Sequence, residues 1–326
     1  MKKYIIKKYQ SEDAGIWNEF VANAKNATFL FHRDFMEYHK DRFNDFSLLV
    51  FDEKQNLKAI LPANRVGETL FSHQGLTYGG LVFKYEVKFA EIIVVFKEIL
   101  SFLYENAFLK LELKNIPTIY TSFPSDEMEY LLFILDAKKI RCDALSVIDL
   151  NEPIYFSQIR KRGIERGNTN KLVVKEENEF TSFWKELLIP NLKEKHNAKP
   201  VHSLQEIQIL HSKFSRNIRQ FNVYFENELV AGTTVFETKN VAHSQYISGL
   251  SKHNHLGGLD FLYHHLIKNV FADKKYFDFG ISNENEGRNI NSGLIYWKES
   301  LGARTIVQNF YTIDTKNYSN LENVLV

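Results

Sequence analysis

A single cysteine, Cys142, in 326 residues excludes an internal disulfide and leaves no thiol cluster for a metal, which fits a reducing compartment. Charge of one sign is also lacking. Lys and Arg number 41 and Asp and Glu 40, a net +1, so no global field draws the chain to DNA or to an anionic membrane. No apolar run reaches the roughly 20 residues of a membrane span. The most apolar stretch, FAEIIVVFKEILSFLY, is broken by Lys97 and Glu98. The N-terminal MKKYIIKKYQSED is basic but has no apolar segment of the secretory kind. The expectation is a cytoplasmic protein with neither DNA nor a membrane span as partner. Phosphate-loop, dinucleotide and Gly-x-Ser-x-Gly patterns are missing, which sets aside ATPase, dehydrogenase and serine-hydrolase chemistry. His253, His255, His264 and His265 fall in no Cys/His or HExxH pattern, so no metal is expected.

What is present is a large core. A hydrophobic content of 44% excludes disorder, and the length suggests two domains of about 150 residues. Lys3 to Tyr9 alternates as a first strand, and Ser11 or Asp13 is placed to cap a helix through Trp17, Phe20 and Val21. A helical stretch covers Phe35 to Phe43. SLLVF (47–51) and LKAIL (57–61) flank a polar turn as a hairpin. After glycines at 75, 79 and 80 come a helix from about Val87 to Tyr104, a strand LKLELK (109–114), a helix from Asp126 to Lys138 and a strand ALSVIDL (144–150).

The second half repeats this order. LLVFDEKQNLKAIL and NVYFENELVAGTTV share an apolar strand, an acidic-amide turn and a Leu-x-Ala return, with Leu57 and Ala59 matching Leu229 and Ala231. A long helix, a buried strand (LKLELK or KYFDFG), a loop, a helix and a closing strand follow each hairpin. This predicts an α/β fold of the α+β kind, built from two tandem units at 1–150 and 151–326. Between the hairpins, Arg160, Lys161, Arg162, Arg166 and Lys171 form a basic cluster, read either as a solvated helix face or as a phosphate-facing patch. Two helices follow, FTSFWKELLIPNLKEKH with Pro190 inside it and SLQEIQILHSKF, where Ser203 and Glu206 have capping-box spacing.

The Ala231-Gly232 strand, the HSQY strand (243–246), the Asp278-Phe279-Gly280 strand end and YWKESLGA (296–303) together resemble the GNAT N-acetyltransferase fold. The tandem arrangement resembles the Fem-type peptidoglycan-bridge transferases. The likeness covers residues 150–312 in motif and 1–150 in architecture. It implies acyl transfer from an activated donor to an amine, with the donor held where HSQYIS and YFDFG splay apart. The implied co-substrate is acyl-CoA, with no permanently bound cofactor. The implied acceptor is a small or sugar-linked amine, such as an amino sugar or cell-envelope precursor, bound between the units. Aminoacyl-tRNA is the alternative donor, and a non-catalytic binding module on a GNAT scaffold is the alternative class. The usual Gln/Arg-x-x-Gly-x-Gly/Ala pyrophosphate loop is replaced by NHLGGL, where Gly257 and Gly258 still offer backbone amides at a helix start.

The candidate residues follow from placement. Alternation puts His243 and Gln245 on one face of their strand, and Tyr246 and Ser248 on the other. His243 is a candidate general base. Tyr246 is either an acid to the leaving group or a core aromatic, and Gln245 and Ser248 are assigned to the donor. Asp278 sits inside an apolar strand and needs partners if ionised. Asn283, Glu284, Asn285, Glu286 and Arg288 follow that strand's carboxyl end, where open α/β sheets present ligands. Glu284 is a candidate base, and the other four are candidate substrate contacts. Lys298 resembles the lysine that Fem-type relatives place near the donor carbonyl or phosphate.

Overall fold

The structure, a computed structural model, describes residues 4–326, so Lys3 of the expected first strand lies outside the described residues. These residues gather into two units. One ends at Asp143 and takes in Val307–Val326, and the other runs from Ala144 to Ile306.

The first unit contains β1 (Tyr4–Lys8), α1 (Ala14–Ala22), α2 (Arg33–Met36), β2 (Leu48–Asp52), β3 (Leu57–Leu61), β4 (Asn64–Val66), β5 (Thr69–Phe71), β6 (Val82–Phe83), α3 (Phe89–Glu105), β7 (Lys110–Lys114) and α4 (Glu127–Ile134). The chain leaves it along β8 (Lys138–Asp149). The second unit holds α5 (Gln158–Thr169), β9 (Val173–Glu177), α6 (Ile189–His196), α7 (Leu204–Lys213), β10 (Ile218–Phe225), β11 (Glu228–Glu237), β12 (Val241–Gly249), α8 (Gly258–His265), β13 (Tyr276–Ile281), β14 (Asn283–Glu284), β15 (Asn289–Ile290) and α9 (Ser292–Ser300). β16 (Arg304–Asp314) follows, and its residues from Val307 belong to the first unit.

In the first unit the strands run β1-β2-β3-β6 in one sheet and β4-β5-β7-β16 in another. Ile92, Val95, Phe96, Ile99, Leu100 and Leu103 recur at three- and four-residue spacing and bury one face of α3 against Leu48, Val50, Ala59 and Leu61. In the second unit the order is β8-β13-β12-β11-β10-β9, with β12 and β13 parallel and their other neighbours antiparallel. Its core joins Phe221, Val235 and Phe277 to Leu262 and Tyr263 of α8.

The shared Leu-x-Ala pattern has a structural cause. In β2–β3, Val50 pairs Ala59 and Phe51 pairs Leu57, so Lys58 bulges out. In β10–β11, Val223 pairs Ala231 and Tyr224 pairs Leu229, so Val230 does the same. Both hairpins carry the same β-bulge at the same place.

Several local expectations change. The stretch from Phe35 to Phe43 is α-helical only to Met36, and 3-10 turns follow through Arg42, with His39 bent out to ψ 22° while its ring Nδ1 bonds the Met36 carbonyl. Neither Ser11 nor Asp13 caps α1 through its side chain. They form a 3-10 turn, in which the Asp13 carboxylate accepts from the Gln10 amide at 3.0 Å. The helix containing Pro190 is split, with a π-helical turn over Phe183–Leu188 and α6 starting at Ile189, because proline brings no amide to the helix and suits its first turn. The capping box forms as expected: Ser203 Oγ accepts from the Glu206 amide at 3.2 Å, and Glu206 accepts from the Ser203 amide at 2.7 Å.

Candidate active site

Glycines set the position of the basic helix. A Cβ on Gly163 of α5 would lie 1.8 Å from Asp260 Oδ2, and one on Gly257 would lie 2.1 Å from the Gly163 carbonyl oxygen. Gly257 is also at φ +77°, a conformation that favours glycine. α5 therefore packs directly on the start of α8. That contact brings Arg160 Nη1 to 2.6 Å from Asp260 Oδ1. Burial raises the Asp260 carboxyl pKa, and Arg160 opposes the shift.

A cavity of about 340 Å³ opens at this junction, lined by Arg160, Arg166, His253, Gly257, Gly258 and Trp297, among others. Gly258 opens α8, and the first amide returned into the helix is that of Phe261, which donates to Gly257 at 2.9 Å. The amides of the first turn have no helical acceptor and carry the positive end of the helix dipole. Arg166 is exposed and in no ion pair among the described residues, its charge acting on Asp260 from a distance, and the buried Nε of Arg160 has no partner. Backbone amides and two guanidinium groups thus converge on one cavity, an arrangement that suits a phosphate.

Trp297 links this cavity to the strand end, because its ring also packs edge-on against Phe279 of β13 at 5.7 Å. β12 and β13 are paired only from Val241–Tyr276 to His243–Asp278. Beyond His243, a bulge displaces Gln245 on β12, and β13 loses register with β8 between Asp278 and Ile281. The two parallel strands separate at His243 and Asp278.

At that fork Asp278, fully buried, binds His243 Nδ1 through Oδ2 at 2.9 Å and accepts from the Gly280 amide through Oδ1 at 2.6 Å. The His243 ring is 13% exposed, and its Nε2 remains available. Gly280 sits at φ +69°, which turns its carbonyl and that of Ile281 toward Lys298 Nζ at 3.0 and 2.6 Å. Burial lowers the Lys298 pKa to about 8, with Asp278 opposing the shift. His243, Asp278 and Lys298 form one connected cluster at the fork.

No family model matches the sequence, and no curated protein matches it. Among solved structures, FemX superposes with a TM-score of 0.65 at 10% identity, covering 98% of this chain and 99% of FemX. L-PGS from Bacillus licheniformis gives 0.60 at 12% identity, with 95% and 93% covered. A conserved protein of unknown function from Bacteroides thetaiotaomicron gives 0.60 at 9% identity, with 96% and 100% covered. The chain shares the fold of FemX and of L-PGS.

The remaining expected residues make contacts of their own. Tyr246 faces the opposite side of β12, where its hydroxyl meets His202 Nδ1 at 2.6 Å and accepts from the His202 amide at 3.1 Å. Ser248 accepts from Asn191 at 2.6 Å and donates to the Leu187 carbonyl at 3.1 Å. Gln245 shares the half-buried face of His243, and its Oε1 has no partner. The expected polar loop is a small hairpin, β14–β15, because Asn285 and Glu286 turn at φ +48° and +53°. Asn283 anchors it, its Oδ1 accepting from the Ala144 amide at 2.6 Å. Glu284, Asn285, Glu286 and Arg288 are exposed on it, and Glu284 accepts from Asn291, the cap of α9, at 2.9 Å. Asp260 and Trp297 were not picked out by the sequence reading. The signal for Asp260 was the Gly163/Gly167 pair, whose four-residue spacing marks a helix face for close packing.

Proposed function

We propose that the chain is an N-acyltransferase that moves an acyl group from a phosphate-bearing activated donor, acyl-CoA in the first reading, to an amine. The observation that carries this is the separation of β12 from β13 at the His243–Asp278 pair, linked through Trp297 to the cavity at the start of α8. The donor's phosphates lie on the first-turn amides of α8 beside Arg160 and Arg166, and the acyl arm enters the fork beside His243. Asp278 holds the proton on His243 Nδ1, so Nε2 presents a lone pair. Nε2 takes the proton from the attacking amine as nitrogen bonds to the acyl carbon. It returns the proton to the leaving thiolate or ribose oxygen when the tetrahedral intermediate collapses. Lys298, held at the mouth of β13, places positive charge near the oxyanion. An amino sugar or cell-envelope precursor is the acceptor class this reading takes from the Fem-type resemblance.

A second reading, aminoacyl-tRNA as donor, is favoured by the run of cations on and after α5, Arg160, Lys161, Arg162, Arg166 and Lys171. Thiol release from acetyl-CoA, measured against a panel of amino sugars and alkylamines, tests the first reading. Transfer from charged tRNA to the same panel tests the second. Turnover with either donor that is lost in a folded Asp278→Asn variant supports the enzyme. Absence of transfer with both donors supports a binding module instead.

A further inference from the structure

Two histidines are sealed together inside the first unit. His39 and His73 are each 3% exposed, and their ring centroids lie 5.0 Å apart. The packing around them is aromatic. Tyr38 stacks on His39 at 4.2 Å, and Phe43 meets both rings edge-on at 5.1 and 5.3 Å. His39 Nδ1 bonds the Met36 carbonyl, which only accepts, so that nitrogen carries the ring proton. The backbone at Gly75 lies against the other nitrogen, since a Cβ there would stand 2.1 Å from His39 Nε2. His73 Nδ1 is buried with no hydrogen-bond partner among the described residues.

The charges facing this pair disfavour a further cation. Arg33 of α2 and Lys114 of β7 oppose a proton on His73, as does His39 itself, while Asp45 favours one. Asp45 is already engaged, by Arg33 and by the Ser47 amide at 2.7 Å. Glu37 is likewise held by Arg33 at 2.6 Å, and Arg42 lies over Tyr38. Burial, followed by these cations, lowers the His73 pKa to about 3. The segment that closes over the rings, His73–Leu76, lies outside any strand or helix. It is held by the Gln74 amide on Asn64 Oδ1 at 2.8 Å, the Leu76 amide on the His73 carbonyl at 3.2 Å and Lys114 Nζ on the Leu76 carbonyl at 2.5 Å. His73 sits at φ +62°, a conformation costly for a residue with a side chain. On either side the chain is tied to β7, by the Ser72 amide on the Glu112 carbonyl at 2.8 Å and the Gly79 amide on the Lys114 carbonyl at 2.7 Å.

We propose that His39 and His73 form an acid-operated latch. Near neutral pH the two uncharged rings pack together and hold His73–Leu76 closed over them. As pH falls toward 5, protonation releases that segment while the strands on either side stay paired. The direction follows from where the proton is taken up. In the open segment His73 accepts a proton at the ordinary histidine pKa of about 6.5, whereas the closed one resists until about 3. Closure is therefore fully favoured above 6.5 and weakens about tenfold per pH unit below it, or ~30-fold by pH 5. The latch uses no residue of the site in the second unit and does not depend on acyl transfer.

Hydrogen exchange of the full chain at pH 7.5, 6 and 5, with rates corrected for the intrinsic effect of pH, tests it. Protection of the amides in His73–Leu76 is expected to fall ~30-fold between pH 7.5 and 5 and to return on neutralisation, while the buried amides of α3 keep theirs. His73→Asn tolerates positive φ and does not titrate in this range, so its protection over the segment is expected to be the same at all three pH values. The wild-type profile needs no variant. Unchanged protection of the wild-type segment at pH 5 would overturn the proposal. So would an equal loss in α3, or a loss in His73→Asn as large as in the wild type.

Discussion

Nδ1 of His243 lies 2.9 Å from Oδ2 of Asp278, at the last paired position of two parallel strands. The pairing fixes both side chains before the strands separate. The buried carboxylate selects the imidazole tautomer, and it is oriented in turn by the Gly280 amide at 2.6 Å. Asp278→Asn keeps the shape but lets the amide offer its NH₂ to Nδ1, which moves the ring proton to Nε2. The account predicts a loss of ~10²–10⁴ in turnover, the usual range for a general base. Nitrogen NMR of His243 should report the tautomer change while circular dichroism stays the same. Full activity in this variant would remove His243 from the mechanism.

Lys298 gives a dependence on pH with a defined sign. Its folded pKa is about 8, below the ordinary 10.5, because burial disfavours the ammonium. Between those values the unfolded chain holds a proton that the native chain has released, so this residue's contribution to stability rises with pH across the window and is lost as pH falls toward 8. Urea midpoints of the wild type and Lys298→Met, measured from pH 7.5 to 10, isolate the effect from tyrosines titrating in the same range. The difference, wild type minus variant, should increase with pH. A flat difference would show that Lys298 keeps its ordinary pKa in the folded chain.

Two glycine substitutions should act in opposite directions. Gly257→Ala places a methyl 2.1 Å from a backbone oxygen at φ +77° and should cost about 1–3 kcal/mol, opening the α5–α8 contact that carries Arg160. Gly15 lies in α1 with nothing within 4 Å of its would-be Cβ, so Gly15→Ala should add about 0.4–1 kcal/mol. Denaturant unfolding of the pair measures both, and equal effects would contradict the packing described here.

The duplicated order of elements was legible in the sequence because hydrophobic period and Leu-x-Ala identity survive wherever a bulge and a core strand recur, as at Leu57/Ala59 and Leu229/Ala231. The opposite faces of His243 and Tyr246 were legible for the same reason, the two-residue period of a strand. Long-range contacts were not. Nothing in the local pattern says that Arg160 meets Asp260, a hundred positions away, or that Tyr246 meets His202. The strand ALSVIDL begins earlier, at Lys138, because its polar first half is held by backbone pairing and not by an apolar face. The residues 283–290 read as a loop because Asn285 and Glu286 occupy positive φ without a glycine at either position.

The site as a whole turns on whether a phosphate-bearing acyl carrier settles at the start of α8. Calorimetric titration of acetyl-CoA and of charged tRNA into the wild type and into Arg166→Ala measures this directly. The account predicts saturable binding of at least one donor, weakened ~10-fold or more by Arg166→Ala through loss of a charge-assisted phosphate contact. No binding of either donor, or binding indifferent to Arg166, would contradict it.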